Sequence, residues 1–251
     1  MYLCGVQLWC TMNGFYDKVA DMERLHYVLR GIRRLQGNTH IRPPRAPVTV
    51  SMLEFMYDAA ALFPSAHDCA LVRSVVTLAF FGLLRVPEIC PPSAGKFSKE
   101  RHLTVADVVV DLPSRYVAVT LKESKSDPFR VGVTVRVGSL NHRLCPVRAM
   151  ASYLLVRGSA PGPLFVFGNG ALFTRVFLIS MLRQWFPTIS TVNSHSFRRG
   201  GATALAASGA SDFTIQLLGR WKSNTYLRYI NITDSTFVNP FNRVMRNGVE
   251  E

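Results

Sequence analysis

In the stretch SHSFRRGGATALAASG (194–209), His195 stands three places before Arg198, with Arg199 beside it. A pair spaced i, i+3 at a helix start shares a face, so both side chains can reach one ligand. A helix N-terminus offers unpaired N–H groups and positive potential, which suits an anion such as phosphate. Cations are favoured at the other end of the helix dipole, so stability alone does not ask for them here. Arg199 lies a step round the helix and reads as surface cover or as a contact to a polyanion's backbone. Taken alone, the pair reads as a solvated helix end.

Two further stretches give it company. LLGRWKSNTYLRYI (217–230) places Trp221, Tyr226 and Tyr229 close behind the basic helix. FGLLRVPEI (81–89) sets Arg85 and Glu88, again i, i+3, among apolar residues. Buried charges are costly unless paired. A plain structural ion pair meets that condition, and so does a functional one.

The elements that must position these residues are legible in outline. Residues 17–35 carry Val19, Met22, Leu25, Val28, Leu29 and Ile32 near one face of a helix. A Pro-, Gly- and Arg-rich linker follows. Helices are expected from Thr49 or Ser51 to about Leu62, and over 66–84, where Pro87 breaks or restarts the chain. β-Branched alternation over 103–112, 115–123 and 130–138 predicts strands, the last two joined by the turn SKSDPF. Helical patterning returns over 146–157, 173–185, 195–208 and 211–218, with a short element near 224–230. Gly209 is a natural stop and Ser211 or Asp212 a natural start.

Composition narrows the class. The 251 residues are 48% hydrophobic, enough for a sizeable core, and 29 basic against 16 acidic residues give a formal charge of +13. That excess points to a polyanionic partner, nucleic acid before membrane. The run at 75–84 is too short to span a bilayer. Five scattered cysteines without a CxxC pair read as reduced thiols of an intracellular protein. No metal-binding or nucleotide-binding motif is present, so no cofactor and no metal are expected. Arg30, Arg33, Arg34, Arg42 and Arg45 make the region before residue 49 basic, either as a solvated face or as a strap against phosphates.

As an ensemble the residues resemble the tyrosine recombinases, also called phage-integrase-type site-specific recombinases. That family carries an arginine, a hairpin lysine, His-x-x-Arg, a His or Trp, and a nucleophilic tyrosine. The matches are Arg85, Lys125 in ESKSDPF, His195 with Arg198, Trp221 in LGRWKS and Tyr229 in YLRYI, with Glu88 at an accompanying acidic position. SKSDPFRVGV, HSFRRGGATALAASG and GRWKSNTYLRYI most resemble recombinases of eukaryotic mobile elements, the DIRS-type and Crypton-type group. The resemblance covers about residues 20 to 235.

It implies an α+β fold, a mainly helical catalytic domain with a small antiparallel β-sheet. It also implies DNA cleavage and rejoining through a 3′-phosphotyrosyl intermediate, double-stranded DNA as partner, a homo-tetramer on DNA, and a nuclear location if the source is eukaryotic. Arg85, Arg198 and Trp221 would donate to the phosphate, His195 would donate to it or help deprotonate Tyr229, and Lys125 would protonate the leaving 5′ oxygen. Two departures stand out. The family's helical core-binding domain is expected only as a remnant over 1–35, with a basic linker over 36–48, the catalytic domain over 49–230 and a tail over 231–251. The eight positions from Trp221 to Tyr229 are one fewer than in the commonest members, which makes Tyr226 a rival nucleophile. A type IB topoisomerase and a silent DNA-binding remnant are the competing readings.

Overall fold

The computed structural model describes residues 2–15, 23–37, 45–123, 131–189 and 191–230. The chain forms two compact units, Met1–Pro44 and Arg45–Glu251. In the first, α1 (Tyr2–Met12) precedes α2 (Glu23–Gln36). Of the stripe its spacing predicts, Leu25, Val28, Leu29 and Ile32 fall on α2, and Val19 and Met22 lie outside the described residues. The α1 helix is not among the expected elements, because its apolar residues follow no single face and periodicity does not mark it.

The second unit is built around α4 (Ala66–Phe81). Ser65 caps it by accepting from the Asp68 N–H at 3.0 Å, and Leu71, Val72, Val75, Val76, Leu78 and Ala79 are fully buried. A helix apolar on most of its circumference belongs inside a fold. Before it, α3 (Val50–Ala59) is capped by Thr49, whose hydroxyl accepts from the Met52 N–H at 3.2 Å, and runs into a 3₁₀ turn over Ala60–Leu62. After it the chain turns through Leu83 and restarts as the single turn α5 (Val86–Ile89), with Pro87 in its first positions where a missing N–H costs nothing.

A three-stranded antiparallel sheet follows, β1 (Val108–Asp111), β2 (Tyr116–Leu121) and β3 (Val133–Gly138), in that spatial order. Val119 pairs with Val108 on one side and Val135 on the other, and Val117, Val119 and Leu121 point into the core. The first strand is shorter than the expected 103–112. Asp107 accepts from the Thr104 N–H at 2.7 Å and from its hydroxyl at 2.6 Å, and that capping box winds Val105–Asp107 into a 3₁₀ turn. The SKSDPF turn, and Lys125 with it, lies outside the described residues.

Four helices complete the unit: α6 (Pro146–Arg157), α7 (Arg175–Trp185), α8 (Ser196–Ala207) and α9 (Asp212–Gly219), then a 3₁₀ turn over Asn224–Arg228. The α6 helix packs against α4 and the sheet. At the start of α8 a Cβ on Gly200 would collide with the Val48 carbonyl, so the RRGG step lets the basic helix lie directly on the entering chain. The Val48 N–H donates to the Ser196 carbonyl at 2.9 Å there. The expected class, a mainly helical α+β domain with a small antiparallel sheet, is the one observed. Among the described residues no helix is long and apolar enough to cross a membrane.

Candidate active site

The site forms where the end of α4, the start of α8 and the end of α9 meet. Arg85 caps α5 and lies largely inside the protein. Glu88, on that turn, accepts from the Arg85 backbone N–H at 2.8 Å through Oε2 and pairs with its guanidinium at 2.7 Å through Oε1. Oε2 also takes Arg220 at 3.1 Å. With its side chain only 4% exposed, the carboxylate is held by two cations and a backbone donor, the company a buried charge requires.

His195 is the N-cap of α8 and half-buried. Its N–H donates to Asn193 Oδ1 at 3.0 Å, and that same oxygen accepts from Arg45 at 2.9 Å. Arg45, expected to touch DNA, therefore braces the turn that presents His195. Arg198 is fully buried. Its guanidinium donates to the Leu83 carbonyl at 2.6 Å and to the Gly219 carbonyl, and it stacks over the Trp221 ring at 4.2 Å. The i, i+3 spacing predicts that His195 and Arg198 reach one ligand together. Instead the structure turns Arg198 inward, because two main-chain carbonyls and an indole face compete for its donors.

An open cleft of about 1100 Å³ is lined by Arg85, Glu88, His195, Arg220, Trp221 and Tyr229, with Lys96, Arg175, Lys222 and Arg228 adding positive charge and Arg101 paired to Glu123 at 2.6 Å. Arg198 stands behind this wall. The two tyrosines differ. Tyr229 is half-buried on the cleft, its ring 5.2 Å from Trp221 and 5.7 Å from the Arg198 guanidinium. Tyr226 is 2% exposed and packs with Leu83, Ala202, Ile215 and Trp221. Burial, then the Asp212 carboxylate, push its phenol above the ordinary value, which disfavours the anion a nucleophile needs.

Like charges crowd this corner. Burial, then repulsion from Arg85 and Arg220, bring the Arg198 guanidinium down to about 9, against the pull of Glu88 and Tyr229. It stays protonated at neutral pH. Arg220 is also lowered, by burial first, with Glu88 opposing and Arg85 adding to the shift. Arg220 is not among the residues that motif and spacing single out. The one signal for it in the sequence is a long cation straight after the glycine that ends α9.

Arg199 donates to the Arg228 carbonyl at 2.7 Å and ties α8 to the last 3₁₀ turn. Arg30, Arg33 and Arg34 lie on α2 of the other unit, and Arg42 falls outside the described residues. Among the described residues no group of three or more His, Cys, Asp or Glu is placed to hold a metal ion.

No protein-family model and no curated protein matches the chain. Solved structures do. It is similar to the XerA recombinase, with a TM-score of 0.55 at 17% identity over 96% of this chain and 81% of that one. Similar too is the Tn1549 transposon integrase in complex with transposon right end DNA, with 0.52 at 17% identity over 82% and 67%. The XerH site-specific recombinase bound to a palindromic difH substrate gives 0.54 at 15% identity over 80% of this chain and 53% of its own. At such identities the common property is the fold, which is that of a tyrosine recombinase catalytic domain.

Proposed function

We propose that this protein breaks and rejoins DNA strands as a tyrosine recombinase, with Tyr229 as nucleophile. The observation that carries the reading is the convergence of Tyr229, Arg85, His195 and Trp221 on one basic cleft. The Tyr229 oxygen attacks a backbone phosphorus, the P–O5′ bond breaks, and a 3′-phosphotyrosyl bond and a free 5′-hydroxyl result. The phenolic proton leaves toward His195 or solvent, and Lys125 supplies the proton that the 5′ oxygen takes up. Rejoining is the reverse attack by a 5′-hydroxyl, so bond energy is conserved and no nucleotide cofactor enters.

The charge that grows on the nonbridging oxygens is met by fixed donors, which in such a site contribute more to the rate than any other single effect. Arg85 offers a planar fork that stays protonated, and the Trp221 N–H can donate without transferring a proton. Arg198 adds positive potential from behind and packs the Trp221 and Tyr229 rings. The wording of the basic motifs points to an element of the DIRS or Crypton type as the source, double-stranded DNA as substrate, a tetramer as the acting assembly and the nucleus as its place. The Tn1549 and XerH structures, both bound to DNA, support DNA as the partner.

Nicked duplexes of randomised sequence trap the covalent intermediate, because the short 5′-hydroxyl strand diffuses away. Wild type and Tyr226→Phe should give a slow-migrating adduct on denaturing gels, and Tyr229→Phe none. Retained DNA binding with no adduct in any of the three would replace the recombinase reading by a binding-only one.

A further inference from the structure

We infer that Arg45 and Asn193 are positioning residues for His195, a two-step brace that runs from the entering chain to the His195 backbone. The assignment rests on reading the cleft as a phosphodiester site in which His195 acts. It begins from how His195 is held. The residue stands at the N-cap of α8 in a helical conformation, φ −95 and ψ −10, and its imidazole makes no cap hydrogen bond. The turn before the helix, rather than capping, therefore sets where the ring lies. Val192 and Phe197, both buried, anchor the two ends of that turn in the core.

Between them Asn193 is the hub. The Asn193 N–H donates to Ser196 Oγ and the Ser196 N–H to the Asn193 carbonyl, both at 2.9 Å. The side-chain oxygen accepts twice, from the His195 N–H at 3.0 Å and from the Arg45 guanidinium at 2.9 Å. The amide nitrogen faces the Thr191 carbonyl at 3.4 Å. Turning the amide over would set donor against donor and acceptor against acceptor, so its orientation is fixed by its partners.

Arg45 brings the entering chain to this hub, and two main-chain bonds run beside it. The Ala46 N–H donates to Thr191 Oγ1 at 3.2 Å and the Val48 N–H to the Ser196 carbonyl at 2.9 Å. Arg45, Ala46 and Val48 thus meet Asn193, Thr191 and Ser196, and the two segments touch because a side chain on Gly200 would strike the Val48 carbonyl. Arg45 is exposed, so its loss leaves the core untouched. A shift of about 1 Å in a reacting group can nevertheless cost about 100-fold in rate. The brace acts on rate more than on stability.

The test uses the full chain and a duplex recovered from wild-type adducts, resynthesised with sulfur in place of O5′ at the cleaved phosphate. A thiolate leaves without a proton, which keeps slow variants within range of single-turnover measurement. Arg45→Ala and Asn193→Ala are each made alone and together with His195→Ala. With His195 present, adduct formation should fall about 10-fold or more in Asn193→Ala and about 3-fold or more in Arg45→Ala. With His195 already replaced, neither should slow the reaction by more than about 2-fold, because the group they position is gone. Duplex affinity and its salt slope should stay at wild-type values, whereas a phosphate contact from Arg45 would be worth about 1 in that slope. Arg45→Ala, an exposed change, carries the test even where Asn193→Ala does not fold. Equal slowing in both backgrounds would make the two residues structural, a reduced salt slope would make Arg45 a DNA contact, and no slowing would make them idle; each overturns the assignment. If wild type forms no adduct while binding DNA, the recombinase reading itself falls and this role falls with it.

Discussion

Replacing Glu88 by Gln keeps the shape of the side chain and removes its charge, which makes it the sharpest probe of the arginine cluster. The wild-type carboxylate pairs with Arg85 at 2.7 Å and Arg220 at 3.1 Å and is nearly excluded from water. At an effective dielectric of about 20, with the delocalised charge centres about 4 Å apart, each such pair is worth about 4 kcal/mol of attraction. Burying the carboxylate takes back several kcal/mol, yet removing one partner from a buried pair still costs about 3 to 5 kcal/mol. In Glu88→Gln an amide N–H₂ also faces a guanidinium, donor against donor, while Arg85, Arg198 and Arg220 keep repelling one another. A loss of about 3 kcal/mol at a urea slope of about 2 to 3 kcal/mol per molar moves the midpoint down by about 1 to 1.5 M. Urea titration followed by circular dichroism reads this directly. Adding sulfate should recover part of the loss in the variant and less in wild type, because an anion then takes the place of the carboxylate. A midpoint within about 0.3 M of wild type would refute the reasoning and show that other groups balance these cations.

Gly219→Ala should destabilise by about 1 to 3 kcal/mol, since its Cβ would fall inside the Trp221 ring. An unchanged thermal melt would show that ring to be free to move. Tyr153 is fully buried, its one O–H shared between the Leu164 and Val166 carbonyls at 2.9 and 3.1 Å and its oxygen accepting from the Val166 N–H at 3.0 Å. Burial raises its phenol from the ordinary 10.0 to about 12, so the folded state holds the proton more tightly than the unfolded one. That contribution is complete below pH 10 and is lost as pH climbs to about 12, a fall of about 2 to 3 kcal/mol in wild type that Tyr153→Phe lacks. Urea melts at pH 8, 10 and 12 should show the two proteins converging, and a constant gap would sink the idea.

Local patterning makes several elements readable. The α6 helix begins on Pro146 and stops at Gly158, and its bounds come out as expected because both signals act within one turn. The same holds for the caps on Thr49 and Ser211, whose hydroxyls accept from N–H groups three residues on. Strand β1 is shorter than its alternation suggests because the Thr104–Asp107 capping box competes with β-propensity and wins over Val105–Asp107.

For the site, the sequence by itself determined which side chains are available. Arg85, Glu88, His195, Trp221 and Tyr229 stand out by type and spacing, and all five line the cleft. Only the tertiary structure decided which way each cation points and which tyrosine faces solvent. Spacing along a helix fixes the face a residue starts from, whereas a guanidinium ends wherever the unpaired acceptors are. The Leu83 and Gly219 carbonyls that draw Arg198 inward lie 115 and 21 residues away from it in the chain. Glu88, which pairs with Arg220 at the cleft wall, lies 132 residues from it, so no local pattern announces that contact.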